Sequence, residues 1–257
     1  MVIRAGAGYD NIDYVYARSK DIDVMNTPGA NSNAVAEEVI AMILAAYRFV
    51  IPGDVTTRAG EWNKKKYMGR ELTRKTVGIL GLGNIGRLLV KRLQGFECTV
   101  LGYDHFLSRQ RALNIGATPA EMEEIFTTAD IISIHVPGGP ATRNLINADL
   151  IRRMKDGAML VNCARYGVVD EDALLQALRT GQIAAASLDV FREEPLPASH
   201  PFWGMENVHI SAHMSGDIRG WRDTLALQFH GNLQRGSAGR DLVNVVDKQR
   251  GYVSSSV

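Results

Sequence analysis

The stretch TVGILGLGNIGRLL, residues 76–89, constrains this chain most. Val77, Ile79 and Leu80 make its opening apolar on both sides of the chain, as in a strand covered on both faces. Three glycines, Gly81, Gly83 and Gly86, then open a helical pattern. The next strand-like run, CTVLGYD, ends in an acidic residue, Asp104, about twenty residues beyond the glycines, the spacing of a dinucleotide-binding βαβ unit. The glycines allow a tight turn and close backbone approach. The helix start at Asn84 and Ile85 turns amide groups toward a pyrophosphate, and the Asp104 carboxylate accepts from ribose hydroxyls. A carboxylate there repels a 2′-phosphate, and His105 and Phe106 follow it with no arginine, so NAD is favoured over NADP.

The rest of the chain extends the pattern. IISIHV, AMLVNC, AAASLDV and VHISAH read as strands, and IGRLLVKRLQGF, PAEMEEIFTTA, NADLIRRM and DEDALLQALRTG as helices between them. Strands that are apolar nearly throughout, alternating with helices, define an α/β fold with a doubly wound parallel sheet of the Rossmann type. The first 75 residues differ: VIRA and DVMNT read as two short strands, a helix runs from about Asn33 to Phe49, and a polar irregular segment, TTRAGEWNKKKYMGRELTRKT, follows. Near the end, DIRGWRDTLALQFHGNLQRG reads as one long helix before a tail, SSSV, expected to fray.

Composition narrows the function. A net charge of +1 and no long basic run give no reason to expect nucleic acid, and Lys64, Lys65 and Lys66 read as a solvated loop. The longest apolar run, VIAMILAAY, is too short to span a bilayer, and the N-terminus lacks the pattern of a signal peptide. Cys98 and Cys163 lie in strand-like stretches and read as core residues in a reducing compartment, so the cytoplasm is expected.

In open α/β sheets, chemistry lies beyond the C-terminal strand ends. Those ends carry His135, Arg165, Asp189, Glu194 and His213. Singly, each has an ordinary structural reading. Together on a cofactor-binding sheet they suit hydride transfer to a carbonyl. His213 supplies an acid/base, Glu194 favours its imidazolium, and Arg165 grips a carboxylate bidentately. His209 and His213 have i, i+4 spacing, but on a strand and without a third ligand, so no metal site is expected.

With GLGNIG, NCARYGVVDE, LDVFREEP and NVHISAHMSG in this order, and AGAGYDNID and NTPGANSNAVAEE ahead of them, the chain resembles the NAD-dependent D-isomer-specific 2-hydroxyacid dehydrogenases, especially their phosphoglycerate dehydrogenase-like branch. The resemblance implies hydride transfer between NAD(H) and C2 of a small D-2-hydroxy or 2-oxo acid, with Arg165, Glu194 and His213 as the catalytic group. It implies that Asp189 holds the nicotinamide carboxamide and that Val136, Cys163 and Ala164 line the cofactor. It also implies that the first glycine turn presents amides near Ala7 and Gly8 to the substrate carboxylate. Tyr166 stands where the family often has glycine, which bears on the width of the substrate pocket.

The same resemblance implies an incomplete flavodoxin-like substrate domain (residues 1–50 and 217–257), short of the family's usual front part. The NAD-binding domain takes residues 51–216, with a dimerisation segment at its start and a homodimer as the expected assembly. Two other readings share the cofactor: an NAD(H)-sensing dimer of the C-terminal-binding corepressor type, and a truncated inactive remnant.

Overall fold

The chain runs from β1 (Val2–Ile3) through α1 (Tyr14–Ser19) to β2 (Val24–Met25); this computed structural model describes residues 1–9 and 11–246. The SSSV tail therefore lies outside the described residues. β1 and β2 pair in parallel, Val2 opposite Val24 and Ile3 opposite Met25. Asp13 caps α1 by accepting from the Tyr16 amide at 2.8 Å.

α2 (Ser32–Tyr47) and α3 (Val50–Arg58) follow, where the sequence suggested one helix running into an irregular segment. The break falls at Phe49, held in the left-handed region at φ 52°. Pro52 explains it. Proline cannot extend α2, because it lacks an amide hydrogen and its ring would clash with the preceding turn, yet it fits the first turn of a new helix.

The sheet is built from β3 (Thr76–Leu80), α4 (Asn84–Leu93), β4 (Thr99–Tyr103), α5 (Arg109–Asn114), β5 (Thr118–Pro119), α6 (Met122–Thr128), β6 (Ile131–Ile134), α7 (Ala148–Arg153), β7 (Ala158–Asn162), α8 (Glu171–Thr180), β8 (Ile183–Leu188) and β9 (Val208–Ile210). Its order is β5-β4-β3-β6-β7-β8-β9, and each described pairing is parallel. The order turns back between β3 and β6, the switch point where such sheets open a crevice for ligands. α5 and β5 escaped the sequence reading. β5 is two residues long and ends in proline, which a sheet accepts at its edge.

One face of the sheet buries Val77, Ile79 and Val161 under Val39 and Ile43 of α2 and Leu89 of α4. The other buries Ile132 and Leu160 under Phe126, Ile151 and Leu178, from α6, α7 and α8. α2 runs antiparallel to β7. At its end, the Tyr47 carbonyl accepts from the Arg70 amide, and Arg70 reaches the Gly157 carbonyl just before β7 starts. A turn and a half earlier, Met42 Sδ lies 3.7 Å from Cys163 Sγ, just past the end of β7.

The chain divides into two compact units, residues 35–215 and residues 1–34 with 216–257, so the boundary falls inside α2. The smaller unit also holds α9 (Trp221–Ser237) and has a small core of Ala17, Val24 and Val246. Asn232 of α9 fastens the segment beyond it, donating to the Val243 carbonyl at 2.8 Å and accepting from its amide at 2.9 Å.

Candidate active site

Register places the strand-end residues. Ile79, Ser133, Val161, Ser187 and His209 lie side by side across β3, β6, β7, β8 and β9. Side chains alternate faces along a strand, so two residues further on Gly81, His135, Cys163, Asp189 and Ser211 form the next row on the face covered by α2. Of the expected site residues, Gly81, Cys163 and Asp189 belong to this row, Val136 and Ala164 follow it directly, and Gly83, Arg165 and His213 stand one residue further on.

The glycine turn after β3 is packed against its neighbours. Gly81 has φ +95°, and a Cβ there would stand 2.7 Å from the His135 carbonyl oxygen. A Cβ on Gly86 would run into the carbonyl oxygen of Gly81. Gly83 differs: nothing lies within 4 Å of a Cβ at that position. It caps α4 without a side-chain hydrogen bond, which leaves the first-turn amides at Asn84 and Ile85 open to a ligand. Asp104 accepts from the Leu82 amide at 2.8 Å and from the Phe106 and Leu107 amides at 2.9 and 3.1 Å. These bonds fix the carboxylate beside the turn. Beyond it lies a cavity of about 240 Å³, walled by Leu82, Tyr103, Leu107 and Ala120. Arg109 also reaches this cavity, 4.0 Å from Glu121. Bare amides, a carboxylate and a partly apolar cavity in sequence fit a dinucleotide.

His213 follows β9 with φ 51°, and its Nδ1 meets Glu194 Oε2 at 2.7 Å. Glu194 is itself anchored, Oε1 accepting from the Phe191 amide at 3.0 Å. With Nδ1–H committed to the carboxylate, Nε2 is the nitrogen left to exchange a proton. Asp189, with none of its surface exposed, holds the loop that carries this histidine. It accepts from Ser211 Oγ at 2.5 Å and from the Met214 and Ser215 amides at 2.9 and 3.0 Å.

Arg165 stands in the turn after β7. Asn162 shapes that turn, accepting from the Ala164 amide at 3.0 Å and donating to the Arg165 carbonyl at 3.1 Å. Arg165 Nη1 donates to the Ala164 carbonyl at 2.7 Å. Its Cγ stands 2.9 Å from where a Cβ on Gly138 would be, so that loop comes close only because residue 138 is glycine. Tyr166 is half exposed. Val136 follows His135 and is half-buried; Cys163 and Ala164 are buried. Burial pushes the Cys163 thiol up, with the Asp189 and Glu38 charges adding to it, so it stays a neutral lining residue.

In the smaller unit, the first glycine turn is tied down around its amides. Gly6 N donates to Thr27 Oγ1 at 2.8 Å, and Asn26 donates to the Ala7 carbonyl at 2.7 Å. Among the described residues no hydrogen bond takes the Ala7 or Gly8 amide. Asn162, Ser211, Asn26 and Thr27 were missed in the sequence. Their signal is small polar residues next to a strand end or glycine turn, a pattern many loops share.

Fold and site together define a nicotinamide dinucleotide-binding α/β domain. The chain belongs to the D-isomer specific 2-hydroxyacid dehydrogenase family, whose NAD binding domain matches residues 40–215. NAD is thus its cofactor. The chain is 41% identical over 219 residues to a D-3-phosphoglycerate dehydrogenase of Archaeoglobus fulgidus, covering 85% of this chain and 42% of that one. It is 40% identical over 253 residues to the human D-3-phosphoglycerate dehydrogenase, covering 97% and 46%. This chain thus spans less than half the length of these curated relatives. A glyoxylate reductase from Paecilomyes thermophila superposes with a TM-score of 0.87 at 30% identity, over 95% of this chain and 74% of the other.

Proposed function

We propose that the chain is an NAD-dependent D-2-hydroxyacid dehydrogenase, exchanging a hydride between NAD(H) and C2 of a small 2-hydroxy or 2-oxo acid. The 2.7 Å contact between His213 and Glu194, on a sheet that carries a dinucleotide turn, supports this reading most directly. The cofactor supplies the hydride. His213 Nε2 gives a proton to the C2 oxygen in reduction and takes it back in oxidation. Glu194 holds the ring in place through Nδ1. Arg165 grips the substrate carboxylate and polarises the adjacent carbonyl. The Ala7 and Gly8 amides, unengaged among the described residues, are assigned by the family resemblance to a substrate carboxylate. Asp189 is assigned to the carboxamide of the nicotinamide as well as to the His213 loop.

The 2-oxo acid of 3-phosphoglycerate is the first substrate to try, because the two curated relatives carry that name. Glyoxylate is the second, from the solved reductase. The purified chain is assayed for NADH oxidation against a pool of small 2-oxo acids, with NADH binding measured on the same sample. Turnover that follows one acid names the substrate. Tight binding with no turnover on any acid refutes the dehydrogenase reading.

We also infer a homodimer working in the cytoplasm. No side chain of α3 is buried; Val50, Ile51 and Val55 are exposed on it, and Trp62, just beyond, is 86% exposed. Exposed apolar side chains grouped along one helix in this way suit an interface. Among the described residues, no helix is long and apolar enough to cross a membrane.

A further inference from the structure

Glu38 is a residue to which neither the family resemblance nor the proposed mechanism gives a task. Its position follows from α2. Met42 touches Cys163 at the end of β7, and α2 runs antiparallel to that strand. One helical turn earlier, on the same side of α2, Glu38 is carried past the strand ends. There it stands near the strand ends, close enough that its charge and that of Asp189 both act on the Cys163 thiol. It is half-buried, and among the described residues no hydrogen bond or ion pair engages it. Burial raises its pKa, and the Asp189 charge raises it further.

Two acidic groups at one end of a site, one buried and one half-buried, oppose each other electrostatically. Asp189 has three donors of its own. Glu38 has none, so the arrangement lacks a positive partner. A metal ion is a poor candidate: among the described residues no three His, Cys, Asp or Glu side chains converge to hold one. The ring that the proposed function places beside Asp189 does carry a positive charge, but only when the cofactor is oxidised.

We propose that Glu38 acts with Asp189 as a pair of carboxylates that favours the cationic nicotinamide of NAD⁺ over the neutral ring of NADH. The inference rests on the cofactor site described above and on Asp189 standing at its nicotinamide end. Glu38 thereby sets which redox form the protein holds more tightly, without touching the reacting atoms. It is a positioning charge for the cofactor and not a catalytic residue.

The test is the dissociation constant of each cofactor form for the whole chain and for Glu38→Gln, measured by calorimetry at pH 8 without substrate. The substitution is expected to weaken NAD⁺ by about tenfold, or ~1.4 kcal/mol, and to change NADH less than twofold. Glu38→Asp keeps the charge and should lie closer to the parent ratio. Glu38→Gln should also melt no lower than the parent, since it removes a charge facing Asp189. Equal effects on both forms, no effect on either, or a lower melting temperature each overturn the proposal. If the parent chain binds neither form, the cofactor site itself is refuted and this inference with it. If it binds both but Glu38→Gln leaves their ratio unchanged, only the role of Glu38 falls.

Discussion

His213 gathers three constraints in one residue. Its Nδ1 is committed to Glu194, its backbone is left-handed, and its loop hangs from Asp189. His213→Gln removes the proposed proton donor but leaves the glycine turn intact. Turnover is expected to fall by at least about 10²-fold while NADH affinity stays within about twofold, checked by steady-state kinetics and calorimetry. Asp189→Ala releases the Ser211, Met214 and Ser215 contacts together, and urea unfolding should show a loss of about 2–4 kcal/mol. His135 makes a pH prediction. Burial holds its pKa down at about 4, against 6.5 in an exposed chain. Between those values the unfolded chain binds the extra proton, so this contribution is complete above pH 6.5 and lost as pH falls toward 4. The span is roughly 3 kcal/mol. His135→Gln should flatten the drop in melting temperature across that window. At this scale the sequence was legible where a residue of distinctive chemistry follows the end of a strand. Arg165, Glu194 and His213 stand out at strand ends, whereas Asn162 and Ser211 are common residues whose contacts appear only once neighbouring strands are in register.

The glycine turn and the helix it opens separate two jobs that the sequence motif merges. Gly86 keeps α4 close to the turn, since a side chain there would strike the Gly81 carbonyl. Gly83 has open space, which a bound phosphate would need. Gly86→Ala should therefore lower stability by about 1–3 kcal/mol and weaken NADH. Gly83→Ala should leave the melting temperature almost unchanged and weaken NADH alone. Matching losses of stability in both variants would contradict this division. The long apolar strands and their helices were legible in the sequence because burial on both faces leaves an unbroken apolar run. α3 was not: none of its side chains is buried, so no buried face imposes a period on its sequence, and only Pro52 marks its start. β5 was too short to show a pattern.

For the whole molecule, the sheet, its direction and the glycine turn are legible in the sequence. The position of the unit boundary inside α2 could not, because a helix that belongs to two units keeps one continuous pattern. Assembly is argued from the uncovered apolar surface of α3. Ile51→Lys with Val55→Lys should shift sedimentation from dimer to monomer, with far-UV circular dichroism unchanged; a parent chain that sediments as a monomer would remove the basis for the dimer. A consequence at the same scale follows from the left-handed backbone of His213. Conformations of this kind disfavour a β-carbon by about 1–2 kcal/mol and suit glycine or asparagine. A library screened only for folded, heat-resistant protein would thus drift away from histidine at position 213, while one screened for turnover would restore it. This one codon is where breeding for durability and breeding for work would part company.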